Sequence, residues 1–173
     1  MAGSPSIAGF FTQRMVVGVA EYAVASRTQL TLSTYALGSC VGVVAYDPVV
    51  QAGGILHLML PDSSLSPEKA VAKPAMFADT GIPVLFSALS GLGISRSRLR
   101  IYLAGGASVL SGPDSFKIGE RNVAAVRQIL SVYGCPIIGG QVGGVVNRTL
   151  HLDIHTGHLT MKAPTGTLEI DMV

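Results

Sequence analysis

The sequence predicts a single α/β domain with mixed, largely buried β-sheets. Three observations carry that prediction. At about 150 residues per domain, 173 residues make one. Apolar residues are 49% of the chain and charged residues only 13%, against a usual level of about 25%, which supplies a sizeable core and excludes disorder. Finally, 21 glycines cut the apolar stretches into short pieces, as in strands buried on both faces and joined by tight turns. Residues 1–13 are small and polar and read as a flexible leader, leaving 14–173 as the domain.

The elements follow in order. Residues 15–19, 30–34, 41–46 and 54–60 read as strands, and β-branched residues dominate the first and third. Residues 62–74 are polar and read as a loop, a possible wall beside the strand before it. Ile82, Leu85, Phe86, Leu89 and Leu92 recur at helical spacing, with Asp79 or Thr80 as the cap and Gly91 or Gly93 as the stop. Residues 99–103 read as another strand. A second helix shows Val123, Val126, Leu130 and Tyr133 on one face and stops at Gly134 and Pro136. After a glycine-rich stretch, Leu150, Leu152 and Ile154 alternate with polar residues, turn at Thr156–Gly157 and continue through Leu159 and Met161 as a hairpin. The tail 167–172 alternates again and suggests an edge strand.

Charge and cysteine usage narrow the function classes. Twelve Lys+Arg against ten Asp+Glu leave +2, too little for a general nucleic-acid or membrane-surface binder. The long uncharged stretches 28–46 and 128–147 are broken by Gly, Ser, Thr, Asn or Pro and do not read as spanning helices. No basic region precedes Phe10–Phe11, so no export signal is read, and Cys40 and Cys135 make no disulfide framework. A cytoplasmic protein without membrane insertion is expected.

The stretch TYALGSCVGVVAYDPVVQAGGILHLMLP (34–61) carries the chemistry. Cys40 follows Gly38–Ser39 at the mouth of one strand and His57 lies in the next. A tight turn at 47–50 would make these strands a hairpin with Cys40 opposite His57. A slip by two residues keeps both on one face, and a slip by one separates them. A thiol beside an imidazole can be a nucleophile, with the thiolate favoured by a neighbouring imidazolium. The imidazole can protonate a leaving amine and then activate water. Backbone N–H groups at Cys40 or in the Gly38–Ser39 turn could hold an oxyanion. On spacing alone, a buried thiol and a core histidine are the stronger reading.

Several blocks occur together along the chain: GVAEYAV, LGSC, YDP, GGILHLMLPD, ADTGIP, AGGA, IGERN, and QVGG followed by NR and a TG hairpin. In this order, over about 17–162, the sequence resembles the CheD family of chemoreceptor glutamine deamidases of bacterial and archaeal chemotaxis. The resemblance implies a fold like that of toxin-type cysteine deamidases, packed mixed β-sheets with outer helices, and a site with Cys40 as nucleophile, His57 as base and Thr34 completing it. Thr34 would orient the imidazole through its hydroxyl or its backbone carbonyl; a plain strand-end threonine is the alternative. The implied reaction turns receptor glutamines into glutamates through a cysteine thioester, with no cofactor and no metal. The implied partners are the cytoplasmic helices of chemoreceptors and a CheC-type phosphatase. Asn147 before Arg148, where the family usually has glycine, the AGGA form and the extra leader depart from the pattern. Two alternatives stay open: a toxin-like deamidase or transglutaminase acting on other proteins, and a non-enzymatic adaptor.

Other features have plainer readings. His151, Asp153 and His155, with His158 beyond the turn, could suggest a metal, but their alternation with leucines fits a solvated strand face. The glycine clusters lack phosphate-loop spacing. Cys135 reads as buried and inert. Arg96, Arg98 and Arg100 alternate and would project together from an extended segment, a solvated strand start or a docking patch for acidic helices.

Overall fold

The computed structural model describes residues 12–109 and 115–173. Of the expected leader, 1–11 lie outside the described residues, whereas Gln13 already pairs with Leu30 as part of the sheet. The chain runs β1 (Gln13–Val16), β2 (Glu21–Ser26), β3 (Leu30–Leu37), β4 (Val41–Asp47), β5 (Ala52–Leu58), α1 (Pro67–Ala72), α2 (Ala78–Ser90), β6 (Arg100–Gly105), α3 (Ile118–Tyr133), β7 (Ile137–Val142), β8 (Arg148–Asp153), β9 (His158–Ala163) and β10 (Gly166–Asp171).

Two five-stranded sheets form, ordered β1-β3-β8-β9-β10 and β2-β5-β4-β6-β7. Each is mixed, because β1 joins β3 and β6 joins β7 in parallel while the remaining pairs are antiparallel. The second sheet lies between the first sheet and the helices, so its central strands are buried on both faces. In β4, Val44 and Tyr46 pack against Leu32, Leu150 and Leu152 of the first sheet. Val41, Val43 and Ala45 pack the other way, against Ile82, Leu85 and Leu89 of α2 and Val126 and Leu130 of α3. This two-sided burial explains the nearly unbroken apolar run of β4. The first sheet has one covered face, and β8 shows it by alternation: Leu150 and Leu152 are buried while Thr149, His151 and Asp153 are half-exposed.

Several expectations shift. The first expected strand, 15–19, divides into the shorter β1 and a turn, and β2 follows where no strand was expected. β7 is likewise a strand rather than a glycine-rich connection. The expected loop 62–74 contains α1 and short 3₁₀ turns at Ser63–Leu65 and Pro74–Met76. Neither Asp79 nor Thr80 caps α2, which begins two to three residues earlier, behind Phe77. The Asp79 carboxylate instead accepts from the Ser63 N–H and hydroxyl, and the Thr80 hydroxyl donates to the Pro74 carbonyl.

The three arginines do not share one exposed side, because residues 96–98 form a 3₁₀ turn rather than an extended segment. Arg98 clamps the buried Asp47 carboxylate through Nε (3.1 and 3.0 Å) and Nη2 (2.8 Å). Burial works against that carboxylate, but Arg98 and the Val49 and Ser95 N–H groups outweigh it and hold its pKa below the usual range. Arg96 stacks over Tyr133, and Arg100 donates to the Val173 carbonyl. Cys135 is 5% exposed, as expected of an inert thiol, and burial raises its pKa.

Candidate active site

β5 is an interior strand, paired with β2 on one side and β4 on the other, so the main chain of His57 is held from both flanks. Its imidazole enters the seam between the sheets and is 1% exposed. Thr34, on β3 of the opposing sheet, is fully buried and faces the same seam. The two meet at 2.8 Å between Thr34 Oγ1 and His57 Nδ1. The threonine hydroxyl, rather than its backbone carbonyl, makes the contact.

A second bond decides the proton. Thr34 Oγ1 also lies 2.8 Å from the Val17 carbonyl, which can only accept. A hydroxyl has one hydrogen, so Thr34 donates to Val17 and accepts from His57. Nδ1 therefore carries the imidazole proton and Nε2 carries the lone pair. Nε2 is buried and has no hydrogen-bond partner among the described residues, the Cys40 thiol included. With no ion beside it to offset desolvation, the imidazole pKa is pushed down to about 4.

Cys40 precedes β4 and is half-buried against the inter-sheet cluster, the face that His57 shares. The hairpin register is two residues from the expected one: Gly42, not Cys40, lies opposite His57. The turn spends two more residues than a tight one, since Asp47 pairs with Ala52. A two-residue slip preserves the face. Gly42 leaves no side chain on β4 between Cys40 and the rung of His57; a Cβ there would meet Leu37 at 2.9 Å and Leu150 at 3.0 Å.

The segment into Cys40 is prepared by a bulge. The β3–β8 register shifts between Thr34 and Leu37, and Ala36 takes a left-handed conformation at φ 56°. Such bulges re-aim a strand, here directly after the threonine. Each carbonyl of residues 38–40 is then tied down. Gly38 O accepts from Ala107 N–H (2.8 Å), Ser39 O from Asn122 Nδ2 (2.9 Å) and Cys40 O from Gly106 N–H (2.8 Å). The close approach at Cys40 requires Gly105, where a Cβ would stand 2.1 Å from the Cys40 carbonyl oxygen at a φ of +107°. Gly38 N–H is spent on Ala36 O at 2.9 Å, so Gly38 shapes the turn rather than donating to an oxyanion. Ser39 and Cys40 N–H make no hydrogen bond to another residue's backbone among the described residues.

The charge state differs from the expected thiolate–imidazolium pair. Burial raises the Cys40 thiol, only partly offset by its own backbone N–H, while the imidazole is pushed the other way. At neutral pH both the thiol and the imidazole are neutral.

Sequence reading did not single out Asn122. It lies in the IGERN block on the buried stripe of α3 with Gly119, Val123 and Val126, and a polar residue on an apolar stripe was the available signal. Nor did it anticipate that Asn147 lies against the Cys40 turn, its Oδ1 2.9 Å from where a Cβ at Gly38 would stand. Among the expected metal candidates, His151 is bound to Ser33 Oγ and His158 to Glu169, and no group suited to a metal ion occurs among the described residues.

The family model for CheD chemotactic sensory transduction matches residues 59–163. A relative from Syntrophus aciditrophicus is 43% identical over 154 residues, covering 89% of this chain and 96% of its own. The chain belongs to the CheD family. A relative from Desulforamulus reducens is 46% identical over 157 residues (89% of this chain, 93% of its own). One from Pyrococcus abyssi is 37% identical over 164 residues (94% and 99%). The last two carry the name "Probable chemoreceptor glutamine deamidase CheD" and the first "Probable chemoreceptor glutamine deamidase CheD 1". No helix among the described residues is long and apolar enough to cross a membrane.

Proposed function

We propose that this chain is a protein-glutamine deamidase that hydrolyses glutamine side-chain amides of chemoreceptors to glutamate. Cys40 is the nucleophile, His57 the proton carrier, and Thr34 sets the imidazole. One observation carries the reading: the Thr34 hydroxyl, committed to the Val17 carbonyl, holds the proton of His57 on Nδ1 and leaves the Nε2 lone pair unpartnered on the face that Cys40 shares. The substrate class is that of the relatives' names.

As the Cys40 sulfur bonds to the amide carbon, its proton passes to Nε2 and the carbonyl electrons move to oxygen. Ser39 and Cys40 N–H groups are the available donors to that oxyanion, pre-set because their neighbouring carbonyls are tied down. Collapse breaks the C–N bond, the Nε2 proton goes to nitrogen, and ammonia leaves a thioester. Water then adds to the thioester carbon, giving a proton to Nε2. The C–S bond breaks, that proton returns to sulfur, and a glutamate carboxyl is released. The Nδ1 proton stays on its bond to Thr34 throughout, so one nitrogen does all the transfer.

In this reading the cytoplasmic helices of the receptor are the substrate, and a CheC-type phosphatase is a further partner suggested by family membership. The test is peptide mass spectrometry of a purified receptor cytoplasmic domain incubated with wild type or with Cys40→Ala. Specific glutamines become glutamates with wild type alone. Conversion by Cys40→Ala at the wild-type rate overturns the mechanism. Binding without conversion by wild type favours an adaptor, and amine incorporation a transglutaminase.

A further inference from the structure

We infer that Asn122 is a positioning residue for this reaction, the side chain that holds the Cys40 turn in register with the end of the His57 strand. The inference rests on the catalytic reading of Cys40 and His57 above. The β4–β5 ladder ends at the pair Val41–Leu58, and the next rung would join Cys40 to Met59. That rung is absent: Met59 N–H turns away to the Met76 carbonyl at 2.8 Å, and the two chains part. Asn122 reaches in from α3 and replaces it. Its Nδ2 donates to Ser39 O at 2.9 Å, the residue before Cys40, and to Met59 O at 2.8 Å, two residues after His57. One amide nitrogen, with its two hydrogens, thus ties the nucleophile's segment to the segment that carries the base.

The other end of the side chain shows what fixes its orientation. Asn122 is fully buried, and Oδ1 has no hydrogen-bond partner among the described residues. A buried acceptor left unpaired is costly, so the amide is not oriented by that end. Two carbonyl acceptors demand the NH₂ group, and a flipped amide would face oxygen with oxygen at both. Only a side chain with two hydrogens on one short-armed nitrogen meets that demand. An aspartate in its place would offer none, and a serine one.

The consequence lies on geometry rather than on chemistry. Without the bridge, the Ser39 carbonyl is released and only the hydrogen bonds at Gly38 and Cys40 hold the turn, so the sulfur can drift from Nε2. Misplacement of about 1 Å costs about 10²-fold in rate. A loosened turn also exposes the thiol, relieving the burial that raises it.

The test compares full-length wild type, Asn122→Asp, Asn122→Ser and Cys40→Ala on the receptor cytoplasmic domain, at a temperature where near-UV circular dichroism shows each variant folded. Alongside, iodoacetamide labelling of Cys40 is read by peptide mass spectrometry across pH. Asn122→Asp is expected to lower kcat about 100-fold with KM within about threefold, and Asn122→Ser to fall between it and wild type. In Asn122→Ser, which adds no charge beside the thiol, labelling of Cys40 should meanwhile become faster at pH 8, its profile shifting to lower pH. The buried Cys135 is the internal control: loss of fold would speed labelling of both thiols, whereas a loosened turn speeds that of Cys40 alone. Should Asn122→Asp not fold, Asn122→Ser carries both readouts. If folded variants keep kcat within twofold and an unchanged labelling profile while Cys40→Ala is inactive, the positioning role is overturned and the catalytic reading stands. If Cys40→Ala stays active, the catalytic reading fails first.

Discussion

Adjacent residues of β3 hold two histidines in the same way on opposite faces of one sheet. Thr34 Oγ1 lies 2.8 Å from His57 Nδ1 inside the seam, and Ser33 Oγ lies 2.8 Å from His151 Nδ1 on the outer face. The contact is the same; the surroundings are not. Thr34 has a second partner, the Val17 carbonyl, which accepts its proton, whereas the Ser33 hydroxyl has no second partner among the described residues. A serine free to donate or accept leaves either tautomer open to His151, while the threonine leaves His57 one. His151 is half-exposed with Tyr35 edge-on at 5.6 Å, and desolvation lowers its pKa, helped by the Arg14 and Lys162 charges. A hydroxyl–imidazole pair is therefore not a catalytic signature. What distinguishes the inner one is the third group that fixes the proton, together with a thiol on the same face.

The largest difference between the pairs is expected on removing the rings. His57→Ala should lower kcat by about 10³-fold or more, the scale of losing general acid–base transfer in both half-reactions, and His151→Ala should stay within about twofold. Equal losses would show that the outer face matters as much as the seam. Removing the hydroxyls is the next sharper cut. Thr34→Val keeps the shape but leaves the Val17 carbonyl and His57 Nδ1–H unpaired. We expect a loss of about 10²-fold in kcat and about 1–3 kcal/mol of stability by urea unfolding, against little change in either for Ser33→Ala. A Thr34→Val enzyme that loses stability but not kcat would reduce the threonine to a packing role.

How much of this was legible follows from which interactions are local. The central strands were readable because β4 is buried on both faces and shows it as an apolar run, and β8 on one and shows it as alternation. β2 and β7 were not, since both are edge strands of exposed or half-exposed residues, β7 glycine-rich, whose strand state comes from the neighbour they pair with. Hairpin parity placed Cys40 and His57 on one face despite the two-residue error in register, because side chains alternate with period two. Thr34 was suggested by resemblance only; its contact joins different sheets, and no spacing along the chain encodes it. Asn122 lies 82 positions beyond Cys40 and acts through main-chain carbonyls, which any residue supplies, so nothing at Ser39 or Met59 announced it.

The smallest expected difference is a matter of protons. Unfolded, His57 titrates near 6.5; folded, it is pushed down to about 4 by burial. Below pH 6.5 the unfolded chain binds a proton that the folded chain refuses, so the protein loses stability as pH falls from about 6.5 to about 4. The penalty levels off below that, reaching about 3 kcal/mol near pH 4. Carboxylates titrate in the same range, so the measurement is a difference: urea midpoints of wild type, His57→Gln and His151→Gln at pH 7 and pH 4.5. Replacing the inner ring should shrink the acid loss by nearly the full amount, and replacing the half-exposed outer ring by much less. Histidine C2–H resonances give the same comparison by NMR, with the His57 midpoint near 4. A His57 midpoint at 6 or above, or equal acid loss in wild type and His57→Gln, would mean that the imidazole is reached by water or an anion. The proposed transfer of the thiol proton to an unpartnered Nε2 would then lose its support.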